Sequence, residues 1–149
     1  MLGPMDAKLP IAPATVAAEC FCLNLKRAAR AVARRYDEAL EPVDLRNGQY
    51  STLMAIAGLQ PVSMQVLAEM LGMDRTTLTA TLKPLQRRGL ISIHLDTADR
   101  RSRIPSLTGE GAALLREAFP LWKKVQQSVG RTVGSATNLE LREQLTRLG

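Results

Sequence analysis

Apolar residues recur at helical spacing along most of this chain, and one short stretch alternates instead. Between Thr15 and about Leu40 the apolar positions follow steps of three and four, which predicts a single long helix. A second helix is predicted from Asn47 to Gly58, because glycine favours helix termination. The inward face of the first helix comprises Phe21, Leu25, Ala28, Val32, Tyr36 and Leu40, and that of the second comprises Tyr50, Leu53, Met54 and Ala57.

Two short helices joined by a tight turn are predicted next. Ser63 is placed to cap a helix over Met64–Leu71, and Gly72 allows the left-handed turn that ends it. Asp74 is placed to cap the following helix, so the segment has the pattern of a helix-turn-helix. The apolar sides of the two helices comprise Val66, Leu67, Met70 and Leu71 in the first and Leu78, Leu82 and Leu85 in the second.

After Gly89 the spacing of apolar residues changes from helical to alternating. The alternation over Ile91–Leu95 predicts a strand with one buried face. A polar segment, 96–102, leads to a return strand at Ile104–Leu107, and Pro105 restricts this strand to a sheet edge. The two strands form a hairpin, called the wing below, whose buried face is expected to include Ile91, Ile93 and Leu95.

The C-terminal part of the sequence predicts two more helices. Thr108 is placed to cap a long helix, and a last helix is expected to open with Thr137 and Glu140 at capping-box spacing. The whole pattern predicts a mainly α-helical protein with one small β-hairpin, built around a winged helix-turn-helix.

The second helix of the helix-turn-helix has a polar face opposite its leucine stripe, as a helix in the DNA major groove requires. Thr76, Thr79 (or Ala80) and Lys83 fall on that face, and small threonine and alanine side chains allow contact with thymine methyl groups. Arg75 and Thr77 project near the helix start, where Arg75 suits bidentate contact with guanine. Contacts with phosphates, which position a protein without reading sequence, are expected from Lys83, Arg87 and Arg88.

Positive charge is concentrated in the same region. The formal net charge is +6 and the isoelectric point about 9.9, which favours an acidic partner such as nucleic acid. Between Asp74 and Arg103, seven basic residues stand against three aspartates. Arginine at a hairpin tip suits the negative potential of a narrow minor groove, and Asp99 is close enough in sequence to orient Arg101. The candidate DNA contacts of the wing are Asp99, Arg100, Arg101 and Arg103.

The chain resembles the MarR family of bacterial regulators from about Leu45 to Leu115. The matching blocks are Leu45–Leu53, Leu67–Leu78, Leu85–Ile91, Asp99–Arg101 and Leu107–Gly111. The resemblance implies a homodimeric repressor that binds a palindromic operator in double-stranded DNA, with one winged lobe at each half-site. It also implies release of DNA when a small aromatic or phenolic effector, or an oxidant, acts on the protein. In that family the arginine matching Arg101 enters the minor groove, supported by the aspartate matching Asp99.

The pattern and the resemblance together give an expected domain organisation. Residues 1–14, which include three prolines, are expected to form a flexible N-terminal arm. Residues 15–44 are expected to form a dimerisation helix and residues 45–111 the DNA-binding lobe. Residues 112–149 are expected to form the C-terminal dimerisation helices.

Two cysteines leave open which signal the protein responds to. One branch of the family senses organic peroxides through a cysteine in its first helix, and Cys22 matches that cysteine in its distance from Tyr36. Tyr36 corresponds to one tyrosine that hydrogen-bonds such a cysteine, whereas Lys26 and Asn47 replace two others. The alternative is that Cys20 and Cys22 are small buried residues of a dimer helix. On a helix they would face different directions, which disfavours a mutual disulfide.

Other classes of function have less support in the sequence. His94, the single histidine, has no partners at ligand spacing, so no metal or other cofactor is expected. No phosphate-cradling glycine loop or catalytic triad is visible, so an enzyme is not expected. No apolar run approaches the ~18–20 residues that a membrane span needs. A reducing cytoplasm is expected, because Cys20 and Cys22 are poorly placed for a mutual disulfide. A winged-helix module for protein–protein assembly is the main alternative, but such modules tend to lose the basic helix face and wing arginines that this chain keeps.

Overall fold

The structure is a computed structural model that describes residues 11–97 and 102–148, without the side chains of residues 135–137. It contains two compact units, one up to Arg34 and one from Arg35 onward. The helices are α1 Pro13–Glu19, α2 Phe21–Leu40, a 3-10 turn Glu41–Val43, α3 Asn47–Leu59, α4 Met64–Leu71, α5 Arg75–Arg87, α6 Gly109–Val133 and α7 Ser135–Thr146. The strands are β1 Ile91–Leu95 and β2 Arg103–Leu107, so the predicted mainly helical fold with one hairpin is confirmed. Within this described part, no helix is both long enough and apolar enough to cross a bilayer.

The long N-terminal helix predicted from the sequence is broken at Cys20, so that prediction is wrong. Cys20 has extended backbone angles (φ −71°, ψ 107°), and its Sγ accepts a hydrogen bond from the Leu23 backbone N–H at 3.5 Å. Helix α1 begins at Pro13, inside the segment expected to be a flexible arm. The Asn24 carboxamide donates at 3.0 to 3.2 Å to the carbonyl oxygens of Ala17, Ala18 and Cys20. It thereby bonds carbonyl groups at the end of α1, where helical partners run out.

Helices α3, α4, α5 and α6 pack around the core of the second unit. The leucine stripe of α5 is buried as predicted, with Leu78, Leu82 and Leu85 no more than 1% exposed. Six helix residues predicted to face inward are exposed in the single chain instead, namely Phe21, Leu25 and Ala28 on α2, Met54 on α3, and Val66 and Met70 on α4. On α4 the inward positions belong to Met64, Leu67 and Ala68, with Leu71 partly buried against the core, so Val66 and Met70 are left on the surface.

The wing strands pair antiparallel, with Ile91 opposite Leu107 and Leu95 opposite Arg103. In this two-stranded sheet both strands are edges, which accommodates the buried Pro105 as predicted. Leu95 was expected on the buried face but is exposed, because burial along β1 decreases towards the tip of the wing.

Helix α6 starts at a cap that also holds the wing. The Thr108 hydroxyl accepts a hydrogen bond from the Gly111 backbone N–H at 3.0 Å and donates to the Gly89 carbonyl oxygen at 2.7 Å. The capping box predicted for the last helix is wrong. Helix α7 begins at Ser135, directly after Gly134, whose φ of 94° lies in a region that favours glycine. Thr137 is therefore inside the first turn and does not occupy the capping position.

Candidate nucleic-acid interface

Helix α5, the second helix of the helix-turn-helix, begins with a capped first turn. The Asp74 carboxylate accepts hydrogen bonds from the backbone N–H of Thr77 at 2.7 Å and from its hydroxyl at 2.9 Å. These hydrogen bonds lower the pKa of the exposed Asp74 carboxyl from its ordinary value of 3.8. The contribution of this cap to stability is therefore complete above the unfolded-state pKa and is lost as the pH falls through the lower folded-state pKa.

Helix α5 has distinct inner and outer faces. Its buried leucines fix the inner face to the core, and the outer face presents the residues predicted to contact DNA. Those exposed residues are Arg75, Thr76, Thr77, Thr79, Lys83 and Arg87. The helix can therefore enter a groove while its leucine stripe remains in the core.

The threonine hydroxyls of α5 differ in what they can offer to a base. Thr77 donates its hydroxyl to Asp74 and is part of the cap. Thr79 donates its hydroxyl to the Arg75 carbonyl oxygen at 2.8 Å, which leaves its oxygen as an acceptor and its methyl group for apolar contact. Thr79 therefore suits acceptance from an adenine or cytosine amino group, or contact with a thymine methyl.

A cleft between α5 and β2 brings three of the predicted basic residues together. Arg75 and Lys83 from α5 and Arg103 from β2 line this cleft, along with Thr79 and Gln86. The pairing of β1 with β2 is what brings Arg103 here, because residue 103 starts the return strand. Three cations thus border one surface groove.

A second cleft on the α4 side shares Arg75 and Arg103 with the first. Its other polar lining residues include Ser63, Gln65 and Glu69. Gln65 and Gln86 were not predicted as site residues, since a glutamine on a polar helix face gives no specific signal. Their place at the site follows only from the packing of the wing against α4 and α5.

The two arginines at the end of α5 have different surroundings. Arg87 is exposed, and among the described residues no acidic group lies within ion-pair distance of it. The Arg88 guanidinium donates to the Asp44 carbonyl oxygen and lies 3.6 Å from the Asp44 carboxylate. The phosphate contact expected of Arg88 therefore competes with a partner inside the protein.

The tip of the wing lies outside the described residues. Asp99, Arg100 and Arg101 belong to this segment, so their predicted roles stay predictions. Below the tip, the Asp96 backbone N–H donates to the Ser102 carbonyl oxygen at 3.0 Å, which continues the pairing of the strands.

The residues of the thiol hypothesis lie on α2. In the single chain Cys22 is exposed in the first turn of that helix and Cys20 is half-buried, so burial of either cysteine within a dimer stays a prediction. Tyr36 is buried near the other end of α2, and its hydroxyl donates to Gln126 Oε1 on α6. Burial raises the pKa of Tyr36, and the charge of Arg35 opposes that rise.

His94 is a surface residue of β1. Its Nε2 lies 2.7 Å from the Ser92 hydroxyl oxygen, and no group of acidic, histidine and cysteine side chains suited to a metal occurs in the described part of the chain.

Known proteins match both the sequence and the fold. A family model described as MarR family matches residues 43–102. The chain is 35% identical over 105 residues to the transcriptional regulator HosA of Escherichia coli O157:H7, covering 70% of this chain and 76% of HosA. It is 30% identical over 101 residues to the organic hydroperoxide resistance transcriptional regulator of Bacillus subtilis (strain 168), and the match covers 68% of this chain and 69% of that regulator.

A solved relative has the same arrangement of elements. The transcriptional regulator MosR of M. tuberculosis, crystallised in complex with DNA, superposes with a TM-score of 0.72 at 38% identity. The match covers 87% of this chain and 99% of MosR. The shared lobe, the identity to HosA and the coverage of both chains lead to one conclusion: the chain belongs to the MarR family.

Proposed function

We propose that this chain is a sequence-specific DNA-binding transcription regulator, a repressor that binds a palindromic operator as a homodimer. The observation that carries the proposal is the cleft between α5 and β2, where Arg75, Lys83 and Arg103 meet. Three cations from two elements suit the regularly spaced phosphates of a duplex. The DNA complex of MosR, at 38% identity, supports the same assignment.

Within this proposal the residues of α5 divide between base reading and phosphate contact. Arg75, Thr76 and Thr79, in the first turns of the helix, read base edges in the major groove. Lys83 and Arg87, further along, contact phosphates. In the wing, Arg101 enters the minor groove with support from Asp99, and the DNA contacts also include Arg100 and Arg103.

In this proposal the helices outside the lobe, in residues 15–44 and 112–149, form the dimer interface. Each region exposes large apolar side chains in the single chain, which a second copy would cover. The most exposed are Phe21 in the first region, at 84%, and Leu139 and Leu148 in the second, at 63% and 71%. A two-fold dimer places two lobes on DNA about one helical turn apart.

In this proposal the repressor responds to a small aromatic or phenolic effector. It works in the cytoplasm and acts by binding rather than by catalysis. Support for an aromatic effector comes from ring contacts where α3 meets α6. Trp122 stacks on Tyr50 and on Phe119 with ring centroids 6.0 Å apart in each pair, and Phe119 is 47% exposed. Offset stacking on such rings favours a flat aromatic ligand.

Replacing Thr79 with valine tests base reading by α5. The change keeps the side-chain shape and removes the acceptor oxygen, so one position in each half-site should lose discrimination, by no more than the ~1–3 kcal/mol of a bidentate pair. The matched control is Lys83→Gln, which should lower the affinity for all operator sequences alike and reduce the salt dependence of binding. Affinities for a set of single-base operator variants measure both effects. Equal weakening by Thr79→Val on every variant would contradict base contact.

A second candidate function is oxidant sensing by the same regulator through Cys22. The similarity to a regulator named for organic hydroperoxide resistance favours it, as does the exposure of Cys22. In such a reaction the thiol and a hydroperoxide give a sulfenic acid and an alcohol.

Replacement of Cys22 by serine should make operator release insensitive to an organic hydroperoxide, because the oxidisable sulfur is removed. Cys20→Ser is the matched control. It should still release the operator at wild-type peroxide concentrations, because the serine hydroxyl can replace the Cys20 sulfur as the cap of α2. Titration of protein–operator complexes with cumene hydroperoxide measures both variants. Release of the Cys22→Ser complex at wild-type peroxide concentrations would exclude this function.

A further inference from the structure

Arg88 joins the end of the DNA-reading helix to a distant segment of the chain. Its guanidinium donates to the carbonyl oxygen of Asp44, which is 44 positions away in the sequence, and lies 3.6 Å from the Asp44 carboxylate. The Arg88 side chain is 31% exposed, whereas that of Asp44 is 94% exposed. The contact therefore holds the arginine partly within the protein surface.

The segment that Arg88 binds, residues 41–46, is the connector between α2 and α3, and it is anchored at its other end. The Asp37 carboxylate near the end of α2 accepts a hydrogen bond from the Asn47 backbone N–H at 2.7 Å and lies 3.8 Å from the Arg46 guanidinium. Asp44 itself has a φ of 50°, in the left-handed region, so the connector turns sharply at the point of contact. The end of α2, the connector and the end of α5 are thus linked by polar contacts.

We infer that Arg88 is a positioning residue for DNA binding, which rests on the proposed function. By binding Asp44 it fixes the C-terminal end of α5 to the connector and so sets the angle at which α5 enters the groove. Arg87, its neighbour, contacts the phosphate instead. Two adjacent arginines at the end of one helix therefore have different roles.

Charge and geometry both favour this assignment. A guanidinium that already donates to a carbonyl oxygen and faces a carboxylate gains less from a phosphate than a free one, because it must first give up those partners. An exposed ion pair adds little to folding stability, so we assign the Arg88–Asp44 contact a role in orienting α5. A small error in the angle of α5 moves several base and phosphate contacts at once.

The test measures the salt dependence of binding to a duplex that the wild-type protein selects from genomic fragments. Each lost phosphate contact lowers the slope of log affinity against log salt by about 0.9, so Arg87→Gln should lower it by about 1.8 in a dimer. Arg88→Gln should keep the wild-type slope, because Arg88 contacts no phosphate in this inference. Its operator affinity should fall about 5- to 10-fold, which is a size typical of coupling between two sites. Its melting temperature should match that of the wild type.

Asp44 supplies a second variant that does not remove any arginine. Asp44→Asn keeps a residue that tolerates positive φ and should bind more weakly than Glu41→Gln, a matched removal of an acidic group from the same connector. The double variant Arg88→Gln with Asp44→Asn should be no weaker than Arg88→Gln alone, because both act through one contact.

The outcomes separate this inference from the function it rests on. A reduced slope for Arg88→Gln, unchanged affinity for that variant, or tighter binding by Asp44→Asn than by Glu41→Gln would overturn the inference alone. Failure of the wild-type protein to select any fragment would overturn the proposed function and the inference with it.

Discussion

Replacement of Gly111 by alanine is expected to destabilise the protein by about 3 kcal/mol, at the upper end of overpacking effects. Gly111 is buried in the first turn of α6, directly against the backbone that leads into β1. A methyl group there would lie 2.1 Å from the Leu90 carbonyl oxygen and 2.8 Å from Leu107 Cδ1. Since the closest atom belongs to the backbone, α6 must move away from the wing. Equilibrium unfolding in urea, at a fixed protomer concentration, measures the loss.

Gly109 provides the matched control for this substitution. It lies two residues earlier in the same helical turn, and a methyl group there meets nothing within 4 Å. Gly109→Ala should therefore leave stability unchanged or raise it by up to about 1 kcal/mol through helix propensity. If the two variants unfold at the same urea concentration, the close packing of α6 against Leu90 is not present in solution.

Replacement of Leu82 by alanine is expected to cost about 2–5 kcal/mol, because it leaves a cavity beneath the DNA-reading helix. Leu82 is 1% exposed and belongs to the leucine stripe that holds α5 to the core. The same variant should lose operator affinity even where it remains folded, since α5 then lacks a fixed orientation. Unfolding curves and operator titrations on the same preparation measure the two effects.

Leu82→Met restores most of the volume and should cost less than about 1.5 kcal/mol, with operator affinity close to the wild type. An alanine variant with wild-type stability would mean that Leu82 is not buried as described. An alanine variant that is less stable but keeps full operator affinity while folded would mean that the stripe does not orient α5.

Features set by local chemistry were predictable from the sequence. The caps formed by Ser63, Asp74 and Thr108 all occur where predicted, because each hydrogen bond spans only three residues. The leucine stripe of α5 was predictable for a similar reason, since helical periodicity alone aligns its members. The fold class and the outer face of α5 follow from these local signals.

The features that the sequence did not reveal depend on contacts between distant or unpatterned residues. The apolar period runs through the break at Cys20 without interruption, and the break is stabilised by side-chain contacts of Cys20 and Asn24. Periodicity also cannot tell which apolar residues of a short helix find a partner, as Met70 on α4 shows at 61% exposure.

The candidate site was predictable in its residue types and not in its arrangement. Basic residues on α5 and in the wing were visible as a charge cluster, but the cleft that unites Arg75 with Arg103 depends on strand pairing. Charge alone also made Arg87 and Arg88 equivalent. Only the position of Asp44 beside α5 distinguishes them.

The most direct test of DNA binding by this protein is selection of bound fragments from genomic DNA, followed by titration of a selected duplex between 50 and 200 mM salt. A dimer that neutralises about six or more phosphates should lose about 10³-fold or more in affinity over this range. The protected site should contain two half-sites about one helical turn apart. Failure to enrich any fragment, or an affinity that does not change with salt, would contradict the account.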